Sequence, residues 1–199
     1  MAVTLNASTS SGFIQTADTS GELNLQSNGS TKLSVLSTGV SGTLVQGTAV
    51  ASTSGTSIDF TSIPSWVKRV TIAFNGVSVS GTGNLNLLIG PVGGVESTGY
   101  VSTAASILGT SVVNANSTTA FLLVGNNAAA ANYQGSVILT NLSGNVWVEQ
   151  GALSRTGDFG YSYLISGSKT LAGTLSVVRI TGNGTDTFDA GSINIQYEG

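Results

Sequence analysis

The stretch that decides the fold runs from Ser57 to Gly90 and reads SIDFTSIPSWVKRVTIAFNGVSVSGTGNLNLLIG. Its apolar residues recur at every second position, which is the period of a β-strand with one buried face. The phase slips by one residue at Asn75-Gly76, where glycine tolerates a positive φ, and this predicts either a bulge or a tight hairpin turn. The alternating positions are Ile58, Phe60, Val70, Ile72, Phe74, Val77, Val79, Leu85, Leu87 and Ile89.

The composition extends this prediction to the whole chain. Charged residues make up 8% of the 199 residues, against about 25% in an ordinary soluble domain. The strong helix formers Glu, Lys, Arg and Met are scarce, whereas the β-branched residues Val, Ile and Thr are plentiful. From Phe121 onwards, short apolar segments alternate with turns rich in Gly and Asn. The sequence therefore predicts an all-β protein, an antiparallel β-sandwich of the jelly-roll type.

Several classes of function fit this composition poorly. The net charge is -3 with six basic residues, and a nucleic-acid partner needs a clustered basic surface. The chain has no cysteine and no histidine, so thiolate metal sites and the commonest general base are excluded. The first residues lack the features of a signal peptide, and no apolar run approaches ~18 residues. We expect neither a cofactor nor a membrane partner, and we expect synthesis in the cytoplasm.

The order of elements in the central stretch resembles a known class of proteins. A short Ile-Asp-Phe strand, a Pro-Ser-Trp corner, an Arg-Val-Thr-Ile-Ala-Phe strand and a Leu-Leu-Ile-Gly strand follow one another. This order resembles the β-rich modules of tailed-phage fibres and other virion appendage proteins, over about the central third of the chain. The resemblance implies a structural protein of the virion.

The first 48 residues are predicted to form an extended arm, followed by the sandwich over residues 49–199. Apolar residues are sparse in the arm, and its expected contacts are Phe13, Ile14, Leu23, Leu25, Leu33 and Val35. An odd loop centred on Gly29 would pair Leu25 with Leu33 and Leu23 with Val35, so the register favours a loop of three or five residues. A two-stranded ribbon is marginal alone. It must pack against the main domain, the arms of neighbouring subunits or a scaffold.

The arm also resembles phage appendage chains. The segment ADTSGELNLQSNGSTKLSV, from Ala17 to Val35, is similar to stretches that intertwine as thin strands around a threefold axis. The resemblance implies attachment or trimerisation. The alternative is a plain N-terminal extension of the sandwich.

Trp147 is the candidate binding residue. If Val146 and Val148 are buried, strand alternation turns Trp147 and Glu149 outward. An exposed indole is either a subunit contact or a platform on which a sugar stacks. Tyr133, Asp158 and Tyr161 are candidates for the same contact or glycan site.

Other carboxylates offer weaker candidates. Asp186 and Asp189 lie in the glycine-rich segment from Gly182 to Asp189, which would hold Ca²⁺ through oxygen ligands or form an ordinary hairpin turn. A glycosidase needs only two facing carboxylates. The acids of this chain are scattered in the sequence, and no catalytic motif accompanies them, so we expect a protein that is not an enzyme.

These observations lead to one hypothesis with two alternatives. The chain is predicted to be a structural protein of a phage virion, in a capsid decoration, a head or neck fibre, or a tail fibre. It would form a homotrimer and dock through its arm on capsid or tail proteins. The first alternative is a lectin-like module that binds a host-surface glycan, and the second is a glycosidase.

Overall fold

The computed structural model of the chain describes residues 23–27, 30–36, 39–41 and 44–199. These residues contain strands, turns and irregular segments but no helix. The chain divides into two compact units, Met1–Leu44 and Val45–Gly199. The all-β prediction is confirmed.

The first unit contains a small antiparallel sheet of three strands. These are β1 (Leu23–Ser27), β2 (Ser30–Leu36) and β3 (Gly39–Ser41), in the order β1-β2-β3. Leu25 pairs with Leu33 and Leu23 with Val35, as predicted. The predicted loop of three or five residues is wrong, because Ser27 already pairs with Ser30. A register shift between Leu25 and Gln26 supplies the odd residue instead.

The contacts predicted for this arm are only partly within the described residues. Leu25 is exposed. Phe13 and Ile14 lie outside the described residues, as do the side chains of Leu23, Leu33 and Val35. The arm contacts therefore stay predictions.

The sandwich is made of two antiparallel sheets. Its strands are β4 (Leu44–Gln46), β5 (Val50–Ala51), β6 (Ser57–Phe60), β7 (Arg69–Val79), β8 (Leu85–Gly90), β9 (Tyr100–Leu108), β10 (Ser111–Ser117), β11 (Phe121–Val124), β12 (Asn132–Ser143), β13 (Val146–Thr156), β14 (Tyr161–Thr170), β15 (Val177–Thr181) and β16 (Phe188–Glu198). The large sheet has the order β10-β9-β14-β13-β12-β7-β16-β4, with β5 also paired to β16. The small sheet has the order β11-β8-β15-β6.

Eight of these strands have jelly-roll topology. The pairs β5 with β16, β6 with β15, β7 with β12, and β8 with β11 are those of one long antiparallel ribbon folded at its middle. Rolling this ribbon brings β7 against β16 and β8 against β15, which closes two four-stranded sheets. Two hairpins, β9–β10 and β13–β14, are inserted between these strands and widen the large sheet beyond β12. The jelly-roll prediction is confirmed.

The core lies between the two sheets and contains all the alternating positions of the stretch that runs from Ser57 to Gly90. The phase slip at Asn75-Gly76 is a bulge, because β7 continues through it and Gly76 has a φ of 62°. At this bulge, the pairing of β7 with β12 and the pairing of β7 with β16 both shift register. The bulge keeps Phe74 and Val77 both buried, although they are three residues apart.

Candidate functional site

The outer face of the large sheet carries two adjoining grooves. One, of about 490 Å³, is lined by residues of β9, β12, β13 and β14, and the other, of about 320 Å³, lies between β12 and β13. Gln150 lines both grooves, so they are neighbours on the sheet. Residues at their walls include Thr103, Ala105, Ser136, Ala152, Leu164 and Val148.

This face has no charged side chain on the five strands β9, β10, β12, β13 and β14. The charged residues of these strands are Glu149, Arg155 and Lys169, and all three are buried. On the neighbouring strands β7 and β16, Arg69 and Glu198 form an ion pair with 3.1 Å between nitrogen and oxygen. Lys68, which lies just before β7 and accepts a backbone hydrogen bond from Asn141, is also exposed. We call the outer side of the five strands the uncharged face.

Apolar side chains stand out from the uncharged face. Leu164 is 55% exposed and Val101 is 70% exposed. Leu164 pairs with Ala105 on one side and Ala152 on the other, so a large side chain stands between two small ones. The result is a ridge beside a groove on one surface. Val112, Leu142 and Val148 add further exposed apolar groups.

In the sequence, the uncharged face corresponds to strands whose outward-facing positions carry no charged residue. Along β14, Ser162, Leu164, Ser166 and Ser168 point outward, and no Lys or Glu occupies these positions. Sequence analysis missed this face because a search for reactive groups passes over Ser, Ala and Gln.

The predicted exposure of Trp147 is wrong. Trp147 is 3% exposed and Glu149 is fully buried, while Val148 points outward. The reason is that Trp147 and Leu153 lie on the same side of β13 and bury more apolar area inside the sandwich than Val146 and Val148 would. Trp147 is therefore not available to a sugar or a partner at the surface of this structure.

Glu149 is an uncompensated carboxyl group in the core. It lies between Leu139 of β12 and Gly167 of β14 in the ladder. Neither carboxylate oxygen has a hydrogen-bond partner among the described residues. Burial raises the pKa of Glu149 well above its usual value.

The pKa of the buried Tyr100 hydroxyl is also raised, to about 12. Burial is the main cause, a hydrogen bond to the Ile89 backbone opposes it, and the nearby carboxyl groups of Glu96 and Glu149 add to the increase.

The other three candidates converge on one buried arginine. Arg155 donates to both carboxylate oxygens of Asp158 and lies over the ring of Tyr161, with 4.8 Å to its centre. Tyr133 is buried, and its hydroxyl donates to Asn127 at 2.6 Å. The hydrogen bond from Arg155 holds the pKa of Asp158 below its usual value. Tyr133, Asp158 and Tyr161, which the sequence grouped with Trp147 and Glu149, lie around Arg155, a residue that the sequence did not single out. Their role in a glycan or subunit contact stays a prediction.

This arginine cluster closes one end of the sandwich. The Arg155 guanidinium and the Tyr163 hydroxyl both donate to the Asn126 carbonyl, Tyr163 at 2.9 Å. Since the arginine is almost wholly buried and its charge is matched by Asp158, the cluster fixes two loops and has no free charge for a ligand.

A second ion pair closes another part of the sandwich. Lys169 is buried and donates to Glu96 and to the carbonyl of Thr170. Burial would raise the pKa of Glu96, but hydrogen bonds from Lys169 and from the Ala172 backbone hold it below its usual value. The Tyr100 hydroxyl bonds to the backbone of Ile89 and Glu96. This arrangement ties the loop after β8 to the large sheet.

Asp186 and Asp189 have different surroundings. Asp186 accepts a hydrogen bond from the Gly83 backbone at 2.8 Å, and Asn183 accepts one from Asn86. Asp189 is exposed at the start of β16. Within the described residues no group of three acidic, histidine or cysteine side chains could hold a metal ion. The segment forms a turn before β16, with Asp186 held against the loop between β7 and β8.

Comparison of the chain with protein-family models, curated proteins and solved structures found no match in any of the three. In the part of the chain that the structure describes, no helix has the length and apolar character needed to cross a membrane.

Proposed function

We propose that this chain is a non-enzymatic structural subunit of a tailed-phage virion, a capsid decoration or fibre component. Its N-terminal arm docks on capsid or tail proteins, and its jelly-roll domain is displayed outside. The subunit acts as a homotrimer. The role is mechanical: backbone hydrogen bonds and apolar packing join the copies to one another and to the particle.

The observation that carries this proposal is the three-stranded sheet β1–β3. Its strands have five, seven and three residues, and Leu25 is 44% exposed. Because short ribbons are marginal in water by themselves, we expect this sheet to need a partner surface. The arms of neighbouring subunits or a site on the particle would provide that surface.

The chemistry of the sandwich supports a role without catalysis. Asp59, Glu96, Asp158 and Glu198 each form an ion pair with a lysine or arginine. Neither groove on the outer face has a carboxylate at its wall. The lectin-like alternative depended on an exposed Trp147, and the burial of that side chain removes its main support.

Particle labelling tests the proposal. Gold-labelled antibody against the chain should bind purified phage particles at the head, neck or tail in electron micrographs. Residues 45–199 alone, which contain the whole sandwich core, should fold but should not co-purify with particles. A chain found only in the lysate, with no label on particles, would contradict the proposed role.

A further inference from the structure

The uncharged face is large enough to be a protein interface. Its five strands have seven to twelve residues each. At about 3.3 Å per residue and about 4.8 Å between strands, they cover about 800 Å². A stable interface of standard size buries about 800 Å² on each partner. The face alone therefore has the area that one side of such an interface needs.

The absence of charged side chains on this face restricts the kind of partner that can bind it. A charged residue pressed against it would lose its hydration and find no counter-charge, which is costly. The partner surface must therefore be poor in charge. This chain has 8% charged residues, and four cation–carboxylate pairs take up most of the charges in the described part.

The shape of the face supplies both halves of a contact. Leu164 projects beside a groove bordered by the small residues Ala105, Ala152 and Ser136. A leucine fits a depression between alanine and serine side chains, so two copies of the same surface can complement each other. In a closed ring of identical subunits each copy offers one part of its surface to one neighbour and a different part to the other, and this face carries both a ridge and a groove.

We infer that a second copy of this chain packs on the uncharged face, with Leu164 of one copy entering the small-residue groove of its neighbour. This inference rests on the proposed function, because it assigns the surface through which the sandwich domains of the oligomer meet. The interface is apolar at Leu164 and Val101, and the Ser, Thr and Gln side chains around them hydrogen-bond at its rim.

Val101→Asp and Leu164→Asp test this interface. Both side chains are exposed, so the substitutions leave the core intact. A charge placed in the contact should weaken association about a hundredfold or more. The matched control is Val92→Asp, since Val92 is 87% exposed in the loop between β8 and β9, away from the face.

The readout is the mass of the full chain in solution, by light scattering over a concentration series, with circular dichroism to verify folding. We expect the wild type and Val92→Asp to share one oligomeric mass, and both face variants to dissociate at much higher concentration. An oligomer that keeps its mass in Val101→Asp and Leu164→Asp overturns the interface but leaves the particle-labelling result standing. A monomeric wild type also overturns the interface.

Discussion

Glu149 makes the stability of the sandwich depend on pH. Because burial raises its pKa in the folded protein, the folded state keeps a proton that the unfolded chain releases above about pH 4.3. The contribution of this carboxyl group to stability is fully present below that pH and is lost as the pH rises towards the raised pKa. The loss amounts to at most about 1.4 kcal/mol for each pH unit.

Glu149→Gln should remove this dependence. Urea unfolding at pH 5 and pH 8 should show a smaller loss of unfolding free energy in the variant than in the wild type. The control is Glu198→Gln, because Glu198 is partly exposed and paired with Arg69, and it should keep the wild-type slope. Glu96 and Asp158 have lowered pKa values, so their contributions are lost only as the pH falls through those values, below this window. Parallel pH curves for wild type and Glu149→Gln would count against a buried, protonated Glu149.

The contact between β14 and β11 depends on a glycine. A Cβ added at Gly167 would lie 2.8 Å from Phe121 of the small sheet and 2.7 Å from the Val101 carbonyl. Gly167 therefore lets the inserted hairpin β13–β14 pack closely under β11. The fold uses glycine here because the neighbouring strand and the facing ring leave no space for a side chain.

Gly167→Ala should lower the unfolding free energy by about 1 to 3 kcal/mol, because overpacking forces the backbone or the Phe121 ring to move. Gly160→Ala is the matched control, since a Cβ at Gly160 would meet nothing within 4 Å and should change stability by less than about 0.5 kcal/mol. Chemical denaturation of both variants at one pH measures the difference. Equal stabilities would show that the close packing of β14 on β11 is not a constraint.

Strand β7 could be predicted because apolar residues alternate with polar or small ones along most of its length, and the apolar set is buried. Strand β8 could be predicted from the alternation of Leu85, Leu87 and Ile89, although Asn86 on its other face is also buried. Strand β13 could not, because its inward set contains Trp147 with the charged residues Glu149 and Arg155, while its outward set begins with two valines. Because Glu149 is charged, the sequence predicts that its side of β13 faces outward. Strand alternation then places Trp147 on the same side, and both residues are in fact buried. Buried polar groups normally have hydrogen-bond partners, and the carboxyl group of Glu149 has none among the described residues. Nothing in the neighbouring sequence predicts such an exception.

Pairing of the arm hairpin was predictable, but its loop was not. Pairing Leu25 with Leu33 places apolar side chains together on one face of the hairpin. Any connection with an odd number of unpaired residues gives this pairing, so the pairing does not fix the loop length. In the structure a bulge in the hairpin supplies the odd unpaired residue, so the loop itself is shorter than predicted. The positions of the two inserted hairpins in the large sheet also have no local signal, because strand order depends on pairs distant in sequence.

Across the whole molecule, the scarcity of charged residues limits the contacts through which the proposed oligomer could form. The ion pairs found in the described residues join groups within the sandwich domain, and the uncharged face has none to offer a partner. Contacts made by apolar side chains and backbone hydrogen bonds are little affected when salt shortens the range of electrostatic attraction.

The proposed oligomer should therefore survive a large increase in salt. Raising NaCl from about 0.01 M to about 1 M shortens the Debye length from about 30 Å to about 3 Å, which suppresses attraction between exposed charges. We expect the mass of the full chain, measured by light scattering at a fixed concentration near its dissociation midpoint, to stay constant or to rise, since apolar contacts do not weaken under these conditions. Val92→Asp should behave in the same way, because its added charge lies outside the contact. Dissociation in high salt would mean that charged groups, not the uncharged face and the arm, hold the subunits together.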